Sequence, residues 1–267
     1  MMAYYSYFRL KFMTGLQYRS AAWAGIATQF FFGFVYIMVY DAFYQSGDAS
    51  TPISISQLIT YVWLNQAFFA LINQFYKDPE LFQLIRTGGL SYELARPKNL
   101  YFMWYFKLLG QRLANVVMRF FPLILVVSFL PHPYNLSLPG SITIFLVFFL
   151  SLVVGAFLVT ALSTLYPILT LLTLNEKGIV NIVIVIADLL SGVGVPIVFF
   201  PTFLRKISNF LPFQYISDLP FRIYVGNISI HDGFYGIGIQ FIWVILLILL
   251  GLFLMKKNLK RIVVQGG

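Results

Sequence analysis

The sequence contains no cysteine, only two histidines and few charged residues. Hydrophobic residues make up 60% of the 267 positions, and charged residues make up 10%. Without cysteine, the chain has no disulfide, no thiol nucleophile and no cysteine-ligated metal site. His132 and His231 are too few for a histidine-rich metal centre. Because soluble domains carry about 25% charged residues, the composition indicates an integral membrane protein.

The sequence also lacks the common signatures of nucleotide binding and of hydrolytic catalysis. It contains no GxxxxGK[ST] phosphate loop, no HExxH zinc motif and no GxSxG serine elbow. Ser191 lies among glycines in an apolar stretch, where a serine is more often part of a packing surface than a nucleophile. We therefore expect a non-catalytic chain that has no metal site and binds no cofactor itself.

Six apolar runs are long enough to cross a hydrocarbon core of about 30 Å. They span residues 20–43, 57–76, 103–130, 141–174, 178–200 and 236–255. We therefore predict an all-α integral membrane protein in which residues 1–267 form a single transmembrane domain. The fourth run contains Pro167 and is too long for one straight crossing, so we expect it to tilt or to break near that proline.

The net charge of +9 is distributed unevenly between the apolar runs. Basic residues precede the first run, lie between the second and third and between the fourth and fifth, and follow the sixth. The opposite loops hold few: residues 44–56 and 131–140 contain no Lys or Arg, and residues 201–235 contain Arg205, Lys206 and Arg222. Because loops rich in Lys and Arg stay in the cytoplasm, this pattern predicts that both termini are cytoplasmic. The charge is thus a signal of membrane topology and does not indicate a nucleic-acid partner.

Two further segments are apolar without forming a plain membrane span. Residues 2–16 carry Tyr5, Phe8 and Phe12 at helical spacing, which predicts an N-terminal helix lying on the inner leaflet. Residues 201–235 contain several prolines and glycines, which leave helical stretches of about 7–12 residues that are too short to cross. Such stretches predict a re-entrant segment that enters the outer leaflet and returns.

A polar segment of mixed charge, residues 77–99, separates the second and third apolar runs. Asp78-Pro79-Glu80 predicts a helix start, because proline suits the first turn and acidic residues complement the positive end of the helix dipole. An apolar stripe follows, formed by Leu81, Leu84 and Ile85. Gly88-Gly89 then ends the helix. Connections in helical bundles are usually about 2–8 residues, so this long structured segment predicts a cytoplasmic docking element.

Four polar residues inside the predicted spans are candidates for a functional role. They are Arg112, Asn115 and Arg119, at i, i+3 and i+7 of the third run, and Asp188 in the fifth. A charge at the bilayer centre costs about 2.5–3.5 kcal/mol on insertion scales, so each is expected to face protein or water. They either line a substrate pathway and meet an anionic or zwitterionic headgroup, or have structural roles. The structural roles are an ion pair between Arg119 and Asp188 and snorkelling of Arg112 to the interface.

The segment from Arg86 to Pro97 resembles the TGxLxxxLxRP stretch of the ABC-2 type membrane permeases. Residues 16–21, and the glycine and proline positions between Ser191 and Pro220, are similar to the same family. The resemblance implies the membrane-spanning subunit of a bacterial ABC exporter, located in the cell membrane. The implied fold, of the type V exporter kind, has six transmembrane helices, an N-terminal interfacial helix, a cytoplasmic coupling helix and a re-entrant hairpin before the last span.

The resemblance also implies partners. Six spans form half of a translocation pathway, so a second copy or a homologous permease would complete it. Separate ABC ATPase subunits would bind ATP and Mg²⁺, and residues 78–89 would be the coupling helix that they contact. The implied ATPase-coupling residues are Asp78, Glu80, Leu81, Leu84, Ile85, Arg86, Thr87, Gly88, Gly89, Glu93 and Arg96.

The sequence leaves the substrate and two other functional classes open. A hydrophobic or amphipathic cargo is expected, such as a drug, an antimicrobial peptide or a lipid-linked molecule. An ion-coupled secondary transporter would need buried carboxylates in several spans, and only Asp188 meets that requirement. A membrane-embedded lipid-modifying enzyme would need clustered acids or a histidine pair, whereas the nine acidic residues here are scattered.

Overall fold

The computed structural model describes residues 2–47, 51–94, 97–173 and 178–260. In chain order its α-helices are α1 (Met2–Gly15), α2 (Arg19–Gln45), α3 (Ile55–Ile72), α4 (Pro79–Arg86), α5 (Leu90–Leu94), α6 (Leu100–Ser128), α7 (Ile142–Thr173), α8 (Ile179–Leu189), α9 (Thr202–Phe210), α10 (Asp218–Tyr224) and α11 (Ile230–Leu259). Short 3₁₀ turns lie at Ile197–Phe199 and Phe213–Tyr215. Over the described ranges the chain contains no β-strand, which confirms the all-α prediction there.

Within the described ranges five helices are long and apolar enough to cross a membrane: α2, α3, α6, α7 and α11. They correspond to the first four predicted spans and to the last. The predicted fifth span, 178–200, is wrong as a continuous helix. In its place α8 has 11 residues, or about 16 Å at 1.5 Å per residue, which is half the thickness of the hydrocarbon core. A sixth crossing therefore stays a prediction.

The early end of α8 has a local cause. Gly192 adopts a positive φ of 82°, a left-handed conformation that interrupts a right-handed helix. Pro196 follows four residues later, and its ring fixes φ and removes a hydrogen-bond donor. The apolar composition of this run is therefore compatible with burial in the membrane but not with one uninterrupted helix.

Helix α7 continues through Pro167 without a break. It has 32 residues, about 48 Å at 1.5 Å per residue, so it exceeds a core of about 30 Å. The prediction for this run was either a tilted helix or a break near Pro167. Because the helix is continuous, the tilted helix is the alternative that remains.

The centre of the fold is α7, which packs against α3, α4, α6, α8, α10 and α11. Gln240 of α11 fastens this centre, because its buried amide nitrogen donates to the carbonyls of Ser151 at 3.0 Å and Tyr215 at 2.6 Å. Farther along, Asn258 Nδ2 donates to Ile168 O at 3.0 Å. These two buried amide groups thus hydrogen-bond to backbone carbonyls, which offsets the cost of burying them.

Helix α1 packs along the first half of α6. Tyr4 Oη accepts a hydrogen bond from the Asn99 backbone N–H at 3.0 Å, and its ring stacks on Phe106 with centroids 6.0 Å apart. A Cβ atom at Gly110 would lie 2.7 Å from Phe8 O, so the two helix backbones are in close contact there. A helix over residues 2–16 is confirmed, and its location on the inner leaflet stays a prediction.

The segment between α8 and α11 contains two short helices, α9 with 9 residues and α10 with 7. Both are too short to cross a membrane. Helix α11 begins at Ile230, before the predicted start at 236, because Ser229 Oγ accepts the Asp232 N–H and caps it. Re-entry of residues 201–235 into the outer leaflet stays a prediction.

Candidate coupling site

Helix α4 lies in the polar segment where the sequence predicts a short helix. Asp78 is its N-cap and accepts the Leu81 N–H at 3.0 Å, and Pro79 occupies the first turn. The helix ends at Arg86, after which Gly88 adopts a left-handed φ of 72°. Both the proline start and the glycine stop are confirmed.

One face of α4 is turned towards the protein and the other is exposed. Leu81 and Phe82 are buried, and Leu84 and Ile85 are half-buried against the same hydrophobic core. The exposed positions from 79 to 88 are Pro79, Glu80, Gln83, Arg86, Thr87 and Gly88. A docking partner could contact only this exposed face.

This division sorts the predicted coupling residues into two groups. Glu80, Arg86, Thr87 and Gly88 are exposed. Asp78 and Leu81 are buried, so they hold α4 in place and are not accessible to a partner protein. The remaining predicted residues are Leu84, Ile85 and Gly89, which are half-buried, Glu93, which is buried in α5, and Arg96, which lies outside the described residues.

The N-terminus of α4 is joined to α6 and α1 by a network of four charged side chains. Lys107 Nζ of α6 lies 2.8 Å from Asp78 Oδ1 and 2.8 Å from Glu80 Oε2. Lys11 Nζ of α1 lies 2.6 Å from the same Glu80 oxygen. The side chains of Lys107 and Asp78 are only 1% and 2% exposed, whereas Glu80 is 63% exposed. The network therefore runs from a buried ion pair to a carboxylate at the surface.

The two lysines stabilise the ionised form of Glu80. Hydrogen bonds from Lys107 and then from Lys11 lower the pKa of Glu80 from 4.5 to about 2. The carboxylate is therefore charged throughout the physiological range of pH.

A further contact links this region to α8. Lys77 Nζ donates to Asn181 Oδ1 in the first turn of α8 at 2.6 Å. The residues around the start of α4 thus contact three other helices, α1, α6 and α8, that lie far apart in the sequence.

A comparison with known families agrees with this architecture. The model of the family described as ABC-2 family transporter protein matches residues 26–266. The chain belongs to this family. Membership makes it a membrane permease of the ABC transporter class and implies an ABC ATPase as its partner. No curated protein and no solved structure matches the chain.

Arg112 of the permease has a structural environment. Its guanidinium is fully buried and donates to Leu71 O at 2.6 Å, Asn73 O at 3.0 Å and Ser163 Oγ at 2.6 Å. It also lies over the Tyr76 ring at 5.2 Å. Arg112 therefore satisfies carbonyls at the C-terminal end of α3 and ties them to α7. These protein partners bury Arg112 fully, and its location relative to the membrane interface stays a prediction.

Arg119 and Asp188 do not form the predicted ion pair. Within the described ranges no ion pair joins them, and both side chains are half-buried. The Arg119 guanidinium lies against α2, since a Cβ at Gly25 would be 2.5 Å from its Cζ. Asn115, between the two arginines of α6, is also half-buried. A role in a substrate pathway stays open for Asn115, Arg119 and Asp188.

The sequence reasoning missed Lys107 and Lys11 as site residues and counted them only as topological charges. Their partners lie 29 and 69 positions away in the chain. One signal was present, because Lys107 interrupts a run of apolar and aromatic residues in the third span. A lysine in such a setting requires a buried partner.

Replacing Lys107 by Met is expected to destabilise the permease by about 3–5 kcal/mol, because Asp78 is left buried without a countercharge. Lys11→Met removes only a contact to an exposed carboxylate and is expected to cost less than about 1 kcal/mol. Unfolding in detergent, followed by tryptophan fluorescence, measures both. The Asp78→Asn/Lys107→Met double variant removes both charges and should be more stable than Lys107→Met alone. Equal losses for the two lysine variants would contradict this assignment.

The lowered pKa of Glu80 predicts a pH-dependent contribution to stability. Because the pKa of Glu80 is lower in the folded state than in the unfolded state, ionised Glu80 stabilises the fold. This stabilisation is fully present above pH 4.5 and is lost as the pH falls towards about 2. The difference in stability between the wild type and Glu80→Gln should therefore be constant near neutral pH and shrink below pH 4.5. Unfolding midpoints between pH 7 and pH 3 measure it, with Gln83→Asn on the same helix face as a control. A difference that stays constant down to pH 3 would contradict the charge network.

Proposed function

We propose that this permease is the membrane subunit of an ATP-driven exporter and that its ATPase contacts α4. The chain, itself non-catalytic, forms half of a translocation pathway for a hydrophobic or amphipathic substrate. A second copy or a homologous permease completes the pathway, and separate ATPase subunits bind ATP and Mg²⁺. The proposal locates the protein in the bacterial cell membrane, with both termini and α4 in the cytoplasm.

The observation that carries the proposal is the two-sided environment of α4. One side offers a water-exposed surface that includes Gln83 and Arg86. The other side is held by the buried ion pair between Asp78 and Lys107. A helix that is exposed on one side and rigidly fixed on the other is suited to receiving a displacement and passing it on.

The transmission follows the contacts of α4. ATP binding favours the closed state of the ATPase pair, and this differential affinity supplies the free energy. A displacement of α4 passes to α6 through Lys107, to α1 through Lys11 and to α8 through Lys77. These helices are the ones whose reorientation would open and close a path between two permease subunits.

The positive charge of Arg119 supports a substrate that carries an anionic group. Within the part of the chain that the structure describes, no ion pair involves Arg119. Its guanidinium lies half-buried between α6 and α2. A cation at such a site has a strong preference for a carboxylate or phosphate group.

The contact with the ATPase is tested by co-expression and co-purification with a candidate ABC ATPase subunit. Charge reversal at Arg86→Glu, and separately Gln83→Arg, should reduce the co-purified ATPase about tenfold, because both alter the exposed face of α4. Lys206→Glu, on an exposed position of α9, is the matched control and should leave the yield unchanged. Undiminished binding in both α4 variants, or transport by the purified chain with an ion gradient alone, would contradict the proposal.

The role of Arg119 is tested with two fluorescent dyes of similar size, one anionic and one cationic, in proteoliposomes that contain the complete transporter and ATP. Arg119→Gln should lower transport of the anionic dye about tenfold, the value of one charge-assisted hydrogen bond, and leave the cationic dye unaffected. Assembly with the ATPase should be retained. Arg112→Gln is the contrasting variant and should lose stability instead, by about 2–5 kcal/mol, because it leaves carbonyls of α3 unpaired. Loss of assembly in Arg119→Gln would assign that residue a structural role.

A further inference from the structure

The loop that follows α8, residues 191–196, is held by side chains along its length. Four consecutive backbone carbonyls each accept a hydrogen bond from a different side chain. The four bonds are Ser217 Oγ to Ser191 O at 2.7 Å, Tyr61 Oη to Gly192 O at 2.9 Å, Asn65 Nδ2 to Val193 O at 2.7 Å and Tyr40 Oη to Gly194 O at 3.2 Å. Irregular backbone inside a membrane protein requires such partners, because lipid offers none.

The first part of this loop has little freedom to move. Gly192 adopts φ 82°, and a Cβ there would lie 2.9 Å from Asp218 Cβ and 3.0 Å from Tyr61 Oη. The Asp218 carboxylate is itself 1% exposed and lies 3.0 Å from Tyr61 Oη. It also accepts the Ile197 N–H at 3.2 Å. Asp218 therefore joins α3, the loop and α10 into one unit.

The attachment of the loop to α2 is much weaker. Among the four clamping side chains only Tyr40 belongs to α2, and its bond is the longest of the four, at 3.2 Å. Tyr61 and Asn65 belong to α3, and Ser217 directly precedes α10. Of the four hydrogen bonds that hold the loop, this is the one that breaks if α2 moves away from it.

The space between α2, α3 and the loop is narrow in this structure. A cavity of about 10 Å³ lies there, lined by both polar and apolar residues that include Tyr36, Tyr40, Asn65 and Val193. That volume is at or below the minimum for one water molecule. A Cβ at Gly194 would meet no atom within 4 Å, so the loop is not tightly packed at the point where Tyr40 holds it.

We propose that residues 191–196 form a gate in the permease and that the Tyr40–Gly194 hydrogen bond is its latch. The inference rests on the proposed function, because the gate would open when movement of α4 is passed to the membrane helices. Breaking the latch separates Tyr36 and Tyr40 on one wall from Val193 and Gly194 on the other. The narrow cavity between these walls then widens and admits water.

The latch is tested by the reactivity of a single thiol. The chain has no cysteine, so Gly194→Cys introduces a unique thiol at a position with room for it. The complex with its ATPase is placed in lipid nanodiscs, where a charged, membrane-impermeant maleimide reaches both faces. Adding Tyr40→Phe removes the hydroxyl but keeps the ring that stacks on Phe199. It should raise the labelling rate without ATP about fivefold, the value of one neutral hydrogen bond.

Two controls make the result specific. Tyr44→Phe is one turn farther along α2 and loses a hydroxyl that donates to Ile53 O at 2.6 Å, so it should leave the labelling of Gly194→Cys unchanged. Leu138→Cys, at a position 87% exposed, should be labelled at the same rate in every background. A Tyr40→Phe variant that labels no faster than its parent would overturn the latch.

Labelling in the presence of ATP distinguishes a failure of the latch from a failure of the proposed function. With Tyr40 in place, ATP should raise the labelling of Gly194→Cys if the ATPase drives the gate. A faster reaction in Tyr40→Phe without any response to ATP would support the latch and count against ATP coupling through α4. A response to ATP that Tyr40→Phe does not change would support the coupling and reject Tyr40 as the latch.

Discussion

The buried ammonium group of Lys107 determines where α4 lies, and the arrangement of this end of the protein follows from it. Removing a lysine and an aspartate from water costs several kcal/mol per ion unless each finds its partner at close range. Asp78 is 2.8 Å away and also caps α4. The ion pair thus fixes both the start of α4 and its attachment to α6.

Helix α3 connects the region of the Lys107–Asp78 ion pair with the loop of residues 191–196 that follows α8. At its C-terminal end Arg112 accounts for the carbonyls of Leu71 and Asn73, next to the segment that leads into α4. Two and three turns earlier on the same helix, Asn65 and Tyr61 hold the loop carbonyls. Helix α3 is the most buried of the five long helices, so in the proposed mechanism it is the element that would carry a shift from one end to the other.

The parts of this fold that local sequence determines were predictable. The proline start and glycine stop of α4 depend on a few neighbouring residues, and the long apolar helices depend on composition over about 20 residues. The partners of Lys107 and of Arg112 were not predictable. They lie on other segments of the chain, many residues away, and the sequence alone does not show which distant segments come into contact. The interruption of the predicted fifth span was missed because average hydropathy is insensitive to Gly192 and Pro196, although these two residues determine the backbone conformation there.

The two polar assemblies of the permease differ in strength, and that difference decides which one yields. Separating a buried ion pair such as Lys107–Asp78 costs about 3–5 kcal/mol, whereas a neutral hydrogen bond such as Tyr40–Gly194 contributes about 1 kcal/mol. In the proposed mechanism a force applied at α4 carries α6 along without detaching from it. The same force, once it reaches α2 and α3, meets a hydrogen bond that is weaker than the ion pair. Strong coupling at the driven end and a weak latch at the far end are what a transmission device requires.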